Sequence, residues 1–167
     1  MVDLLTLPAG PKSVRAAAQS TSGHLVIDLD VTPRSVRSVR TMVMAQLGLW
    51  GLDGLADATE LAVSELLTNV FQHTPPNRHD RRPVCITLTR VPDGVALCVH
   101  DADPNPPRAL AASPEDTSGR GLQLVQALAD KFGVAPSPDG GKDVWATFVQ
   151  DAELGSGETN RRTTSPT

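Results

Sequence analysis

The sequence has little of what marks several common protein classes. Its only cysteines among 167 residues are Cys85 and Cys98, each inside a β-like run and without the CxxC or Cys/His spacing of a zinc site. Both are read as reduced core residues, and a disulfide framework is set aside. No apolar stretch approaches the roughly 20 residues needed to cross a bilayer. The opening "MVDLLTLPAGPKSVR" also lacks the charged and apolar regions of a signal peptide. A cytoplasmic location is therefore expected, with no membrane partner. Lys/Arg-rich runs are missing too: 15 basic against 19 acidic residues give a net charge of -4, which argues against direct nucleic-acid binding. A protein or a small ligand is the expected partner.

What remains is a chain of the right size for one hydrophobic core. Residues 8–22 are rich in Ala, Pro and Ser, and "GSGETNRRTTSPT" from Gly155 has almost nothing to bury. The expected organisation is a flexible N-terminal segment over 1–22, a folded domain over 23–151 and a disordered tail over 152–167.

Within that domain "HLVIDLDV", 24–31, alternates as a strand does, and Thr32 with Pro33 supplies a helix start. The first helix is expected over 33–48, with Val36, Val39, Val43 and Leu47 inward, Arg34, Arg37 and Arg40 toward water, and Gly48 and Gly51 breaking it. A second helix over 53–73 buries Leu55, Ala58, Ala62, Leu66 and Val70 before "TPPN" stops it. "VCITLTRV" and "GVALCVHD" form a hairpin across Pro92, Asp93 and Gly94. Residues 102–118 hold four prolines and no periodicity, a long loop of the kind that usually carries function. A third helix is expected over 119–131, capped by Ser118 and Gly133, and "GKDVWATFVQ" is the last strand. The order βααββαβ indicates an α+β two-layer sandwich.

Three groups of residues could do chemistry. In "SELLTNVFQHT" the side chains of Glu65, Asn69 and His73 fall in one row at four-residue steps, bracketed by Leu61, Leu66 and Val70. Such a row is either a solvated stripe or a ligand-facing edge whose carboxylate and amide need partners. Strand parity puts Asp101 on the same side as Val95, Leu97 and Val99, the covered side. There its carboxylate either closes an Asx turn or accepts from a ligand such as the amino group of adenine. "SGRG", 118–121, opens a helix with glycines at 119 and 121, which is either an ordinary helix start or a backbone cradle for phosphate.

In order, these pieces resemble the ATP-binding domain shared by histidine kinases, gyrase-type ATPases and Hsp90, the GHKL or Bergerat fold. Within it the closest likeness is to the small stand-alone anti-sigma factor serine kinases. "ELLTNVFQH" is similar to the N box, Asp101 stands where the G1 box has its adenine-reading Asp, "GRGLQLV" resembles the G2 box and "GGKDVW" the closing Gly-rich strand. The resemblance covers roughly residues 25–150 and implies a mixed, mostly antiparallel sheet covered by helices on one face.

It also implies ATP and Mg²⁺ as cofactors and a set of roles. Asn69 would coordinate the metal, Glu65 would be the catalytic base, and Asp101 would accept from the adenine amino group. Gly119, Arg120 and Gly121 would cover the phosphates, with Leu122 and Asp143 completing the nucleotide-binding set and residues 102–118 forming a lid. His73 is given a structural role. The implied activity is protein serine/threonine kinase, the implied partners a sigma factor and an anti-anti-sigma (STAS-type) antagonist, and the implied assembly a homodimer through the first strand and helix. A nucleotide-dependent binding module without phosphotransfer is the alternative. Two departures stand out: "ADPN" follows Asp101 where many relatives have DxGxG, and Asp143 stands where many have Thr. An Asp143 close to Asp101 would set two like charges together.

Overall fold

The computed structural model describes residues 16–107 and 120–150. Strands β1 (Ala16–Ser20) and β2 (His24–Asp30) are followed by helix α1 (Pro33–Trp50), a 3₁₀ turn (Asp53–Leu55) and helix α2 (Ala56–His73). Then come the hairpin β3 (Pro83–Val91) and β4 (Gly94–Asp101), helix α3 (Arg120–Leu128), and strands β5 (Lys131–Pro136) and β6 (Lys142–Val149). The six strands form one sheet in the order β1-β2-β3-β4-β6-β5. Every pairing is antiparallel, so the sheet is not mixed among the described residues. The architecture is α+β, as expected.

The helices cover one face. Leu25, Ile27 and Leu29 of β2, Val84, Ile86 and Leu88 of β3, Val95, Leu97 and Val99 of β4, and Val144, Ala146 and Phe148 of β6 bury their side chains there. Against them α1 packs Val39, Val43 and Leu47, and α2 packs Ala62, Val63, Leu66, Leu67 and Val70. The alternate residues of each strand form an uncovered face, because successive strand side chains point to opposite sides.

Local chemistry sets the helix limits. Thr32 Oγ1 accepts from the Ser35 amide at 3.1 Å and Ser35 Oγ from the Thr32 amide at 2.8 Å, a capping box ahead of Pro33. The far end runs two residues past the expected Gly48: that glycine stays in the helix, and Gly51 closes it with φ 70° while the Leu52 amide reaches back to the Leu47 carbonyl at 2.9 Å. In α2 the Thr74 amide makes the last helical bond, to the Val70 carbonyl at 3.0 Å, before Pro75 and Pro76.

Two strands were absent from the sequence-based order. Residues 16–20 pair with β2, so the sheet begins inside the segment expected to be flexible. "AAAQS" carries no β-branched or aromatic residue, and its pairing comes from the open edge of β2 rather than its own propensity. The third helix ends at Leu128, not near 131, and Lys131–Pro136 is a strand with Gly133 in its middle instead of at a helix cap. Gly133 lies opposite Trp145, whose indole occupies the space a Cβ at 133 would need. Residues 1–15 of the expected flexible N-terminus, the C-terminal tail, Gly119 and most of the expected lid lie outside the described residues.

Candidate functional site

The site is assembled where α2, the start of α3 and the ends of β4 and β6 meet. Helix α2 lies over β4, β6 and α3. Glu65 and Asn69 are half-buried on it, one turn apart, beside the buried Leu66 and Val70. They occupy the edge of the apolar face rather than a fully solvated stripe. His73 is half-buried in the last turn of the same helix.

Helix α3 comes very close to Glu65. A Cβ at position 121 would meet the Glu65 carboxylate, so the first turn of α3 packs directly against that side chain and a larger residue would require the carboxylate to move. The helix start thus lies against a carboxylate on α2. Arg120 is exposed. Leu122, expected among the nucleotide-binding residues, is 3% exposed and joins Val125 in the hydrophobic core; it anchors the helix.

Asp101 ends β4 on the covered face, as strand parity requires, and is 1% exposed. The two readings of its carboxylate divide between its two oxygens. Oδ1 accepts from the Asp103 amide at 2.8 Å, the Asx turn, and from Lys142 Nζ at 3.0 Å. Oδ2 is buried with no hydrogen-bond partner. A buried acceptor left open is costly, and an amino group such as that of adenine would satisfy it. Lys142 is itself 3% exposed and donates also to the Asp103 carbonyl at 3.0 Å. Gly141, with φ 80°, lets β6 lie against the end of β4: a Cβ there would strike the Asp101 carbonyl oxygen.

Asp143 is not part of this constellation. The register pairs Asp101 with Lys142 and His100 with Asp143, and the latter pair lies on the uncovered face. The Asp143 carboxylate bonds His100 Nδ1 at 2.7 Å, and it lies on the opposite side of the sheet from Asp101, so the like-charge contact with Asp101 does not occur and Asp143 is not brought together with the other expected nucleotide-binding residues. Lys142, which the sequence reading passed over, is the residue facing Asp101. The alternation of Val144, Ala146 and Phe148 was the signal that could have found it, since Lys142 shares their parity.

The cysteines likewise occupy the uncovered face. Both are free and half-buried, outside the core to which they were assigned. Burial raises the Cys85 thiol above its ordinary value, with Asp28 adding to the effect. Burial, then the charge of Asp143, pushes Cys98 up to about 11. Neither is disposed to act as a thiolate.

No three His, Cys, Asp or Glu side chains group into a metal cage among the described residues. Mg²⁺ in nucleotide sites is carried by phosphate oxygens, waters and one or two protein oxygens. The single amide oxygen of Asn69, one turn from Glu65, fits that donor set, and the ion would there neutralise phosphate charge. No described helix is long and apolar enough to cross a membrane.

No match to the chain was found among curated proteins. Residues 29–148 match the histidine kinase-like ATPase domain, a span from the end of β2 to the end of β6 that takes in Glu65, Asn69, Asp101, Gly121 and Lys142. An antiparallel sheet under three helices, an open carboxylate oxygen at the end of β4 and a glycine helix start against an α2 carboxylate agree with that match. The chain belongs to the histidine kinase-like ATPase domain family, whose GHKL-type fold binds ATP.

Proposed function

We propose that the protein is an anti-sigma-factor-like serine/threonine kinase, which holds a sigma factor and is switched by phosphorylating a serine of an anti-anti-sigma (STAS-type) antagonist. The observation that carries phosphotransfer is the packing of Glu65 against Gly121, which brings a carboxylate to the turn suited to cover phosphates. Adenine is read by Asp101 Oδ2. Asn69 would hold Mg²⁺ through its amide oxygen, and the ion would supply charge neutralisation to the phosphates. Arg120, Gly121 and Gly119 cover the phosphates.

Glu65 is the base. It takes the proton of the antagonist serine as that oxygen forms its bond to the γ-phosphorus, while the bond from phosphorus to the bridging oxygen breaks and its electron pair leaves with ADP. The nucleophile is the partner's hydroxyl, so the cleft must remain open on the Glu65 side until the antagonist docks. A homodimer through β1 and α1 completes the proposal, supported by an apolar cavity of about 300 Å³ between them, lined by Ala16, Ala18, Ile27, Ser38 and Met42 among others.

Radiolabelled ATP mixed with the protein and a STAS-type antagonist captured from the native host tests the reading. Wild type should label the antagonist on serine. Glu65→Gln should bind ATP as before and lose transfer by roughly a hundredfold or more, the scale of a positioned base. Absence of any labelling by the wild type, with ATP binding intact, would favour the nucleotide-dependent binding module instead.

A further inference from the structure

Lys142 has a donor to spare, next to the one open oxygen of Asp101. An ammonium group has three N–H bonds. One goes to Asp101 Oδ1 at 3.0 Å and one to the Asp103 carbonyl at 3.0 Å; the Asp103 carboxylate is at 3.8 Å, an ion-pair distance but too long for a hydrogen bond. Asp101 Oδ1 is already taken by Lys142 and the Asp103 amide, and Oδ2 is buried and unpartnered. The end of the β4–β6 pair thus holds one unpartnered acceptor and one charged group with an N–H beyond its two hydrogen bonds, both within a single ion pair whose side chains are at 4% exposure or less.

We propose that Lys142 is a second base-reading residue, which donates to the ring nitrogen beside the amino group that Asp101 Oδ2 accepts, and so makes the site selective for adenine. This rests on the ATP reading above. Adenine presents its exocyclic amino donor and the N1 acceptor on adjacent atoms, the complement of an acceptor beside a donor. Guanine in the same seat turns its keto oxygen toward the carboxylate and its ring N–H toward the ammonium, so both contacts meet like polarity. Discrimination then comes from repulsion as well as from fit, and buried polar groups left unpaired by the wrong base magnify it.

The proposal gives Lys142 a reason to be buried. A lysine serving only to neutralise Asp101 would need one bond to it, whereas here a second bond to the Asp103 carbonyl fixes the ammonium in place. Gly141 permits the approach by admitting the Asp101 carbonyl.

The test is titration of the wild-type protein with ATP, GTP and 1-deaza-ATP, in which N1 is replaced by C–H. The expected result is ATP binding at least tenfold tighter than 1-deaza-ATP, the scale of one hydrogen bond to a charged group, and tighter still than GTP. Lys142→Met should bind ATP and 1-deaza-ATP alike, while Lys142→Arg, which keeps charge and donors, should retain part of the preference. Equal binding of ATP and 1-deaza-ATP by the wild type overturns the role of Lys142 while leaving the ATP reading intact. Failure to bind any of the three overturns both. The wild-type comparison decides the matter even if Lys142→Met does not fold.

Discussion

Two acid–base pairs stand side by side across β4 and β6, one residue apart in sequence and on opposite faces of the sheet. Asp101 with Lys142 is enclosed under the helices, at 1% and 4% side-chain exposure, whereas His100 with Asp143 lies on the uncovered face at 34% and 32%. The bond lengths are similar, 3.0 Å and 2.7 Å, so distance does not distinguish them. What differs is the solvent. On the uncovered face water can replace either partner and satisfy the remaining polar atoms, so the pair adds little to stability. Under the helices neither charge has an alternative, and one Asp101 oxygen is left as a buried acceptor without a partner.

The contrast is sharpened most by removing one partner from each pair. Lys142→Ala leaves the Asp101 carboxylate buried without a counter-charge and should lower unfolding free energy by about 3–5 kcal/mol in urea denaturation. His100→Ala should cost less than about 1 kcal/mol in the same assay. Comparable losses for the two would mean that the helices do not exclude water from the end of β4. Such a result would also weaken the case for Asp101 as a buried reader of any base.

Gly141→Ala attacks the same enclosure through the backbone. Its φ of 80° is unfavourable for an L-residue, by roughly 1–2 kcal/mol, before the collision with the Asp101 carbonyl is counted. The end of β4 must then move from β6, separating Lys142 from Asp101, so ATP affinity should fall along with melting temperature. The equivalent strain at Gly51, at the end of α1 and far from the pair, should lower melting temperature with ATP affinity unchanged. Calorimetry of both variants separates damage to the fold from damage to the site.

The same one-residue step explains what the sequence could tell. Helix α2 and the hairpin were legible because their apolar patterns are long and agree with their stops: Ala62, Leu66 and Val70 repeat ahead of Pro75, and Val95, Leu97 and Val99 alternate after Gly94. Asp101 could be assigned to the covered face by that alternation alone. Strand β1 could not be read, since alanines carry no period and its pairing depends on β2, which is itself placed by a distant partner: β2 pairs onward with β3, joining His24 to Thr89 and Asp30 to Pro83. Strand β5 was hidden because Phe132 and Val134 continue plausibly from the α3 pattern and Gly133 mimics a cap. In β6 the choice between Lys142 and Asp143 is a matter of parity: the alternation of Val144, Ala146 and Phe148 puts Lys142 on the covered face, whereas position within the family motif points to Asp143. Glu65 against Gly121 needed three dimensions, since 56 positions separate them and no pattern links the two.

The smallest effect belongs to the uncovered face and runs through its cysteines. Cys98 is pushed up to about 11 from an ordinary 9.0 by burial first and Asp143 second. Below pH 9 the thiol is neutral in both folded and unfolded chains and costs nothing. Between about 9 and 11 the unfolded chain releases the proton and the folded one keeps it, so stability falls as pH rises through that window. Melting temperature should therefore decline more steeply from pH 9 to 11 in wild type than in Cys98→Ser, with Asp143→Asn in between because it removes only the second cause. If Asp143→Asn flattened the profile as fully as Cys98→Ser, charge rather than burial would dominate at Cys98, and the uncovered face would be drier in its centre than the exposure of His100 and Asp143 implies.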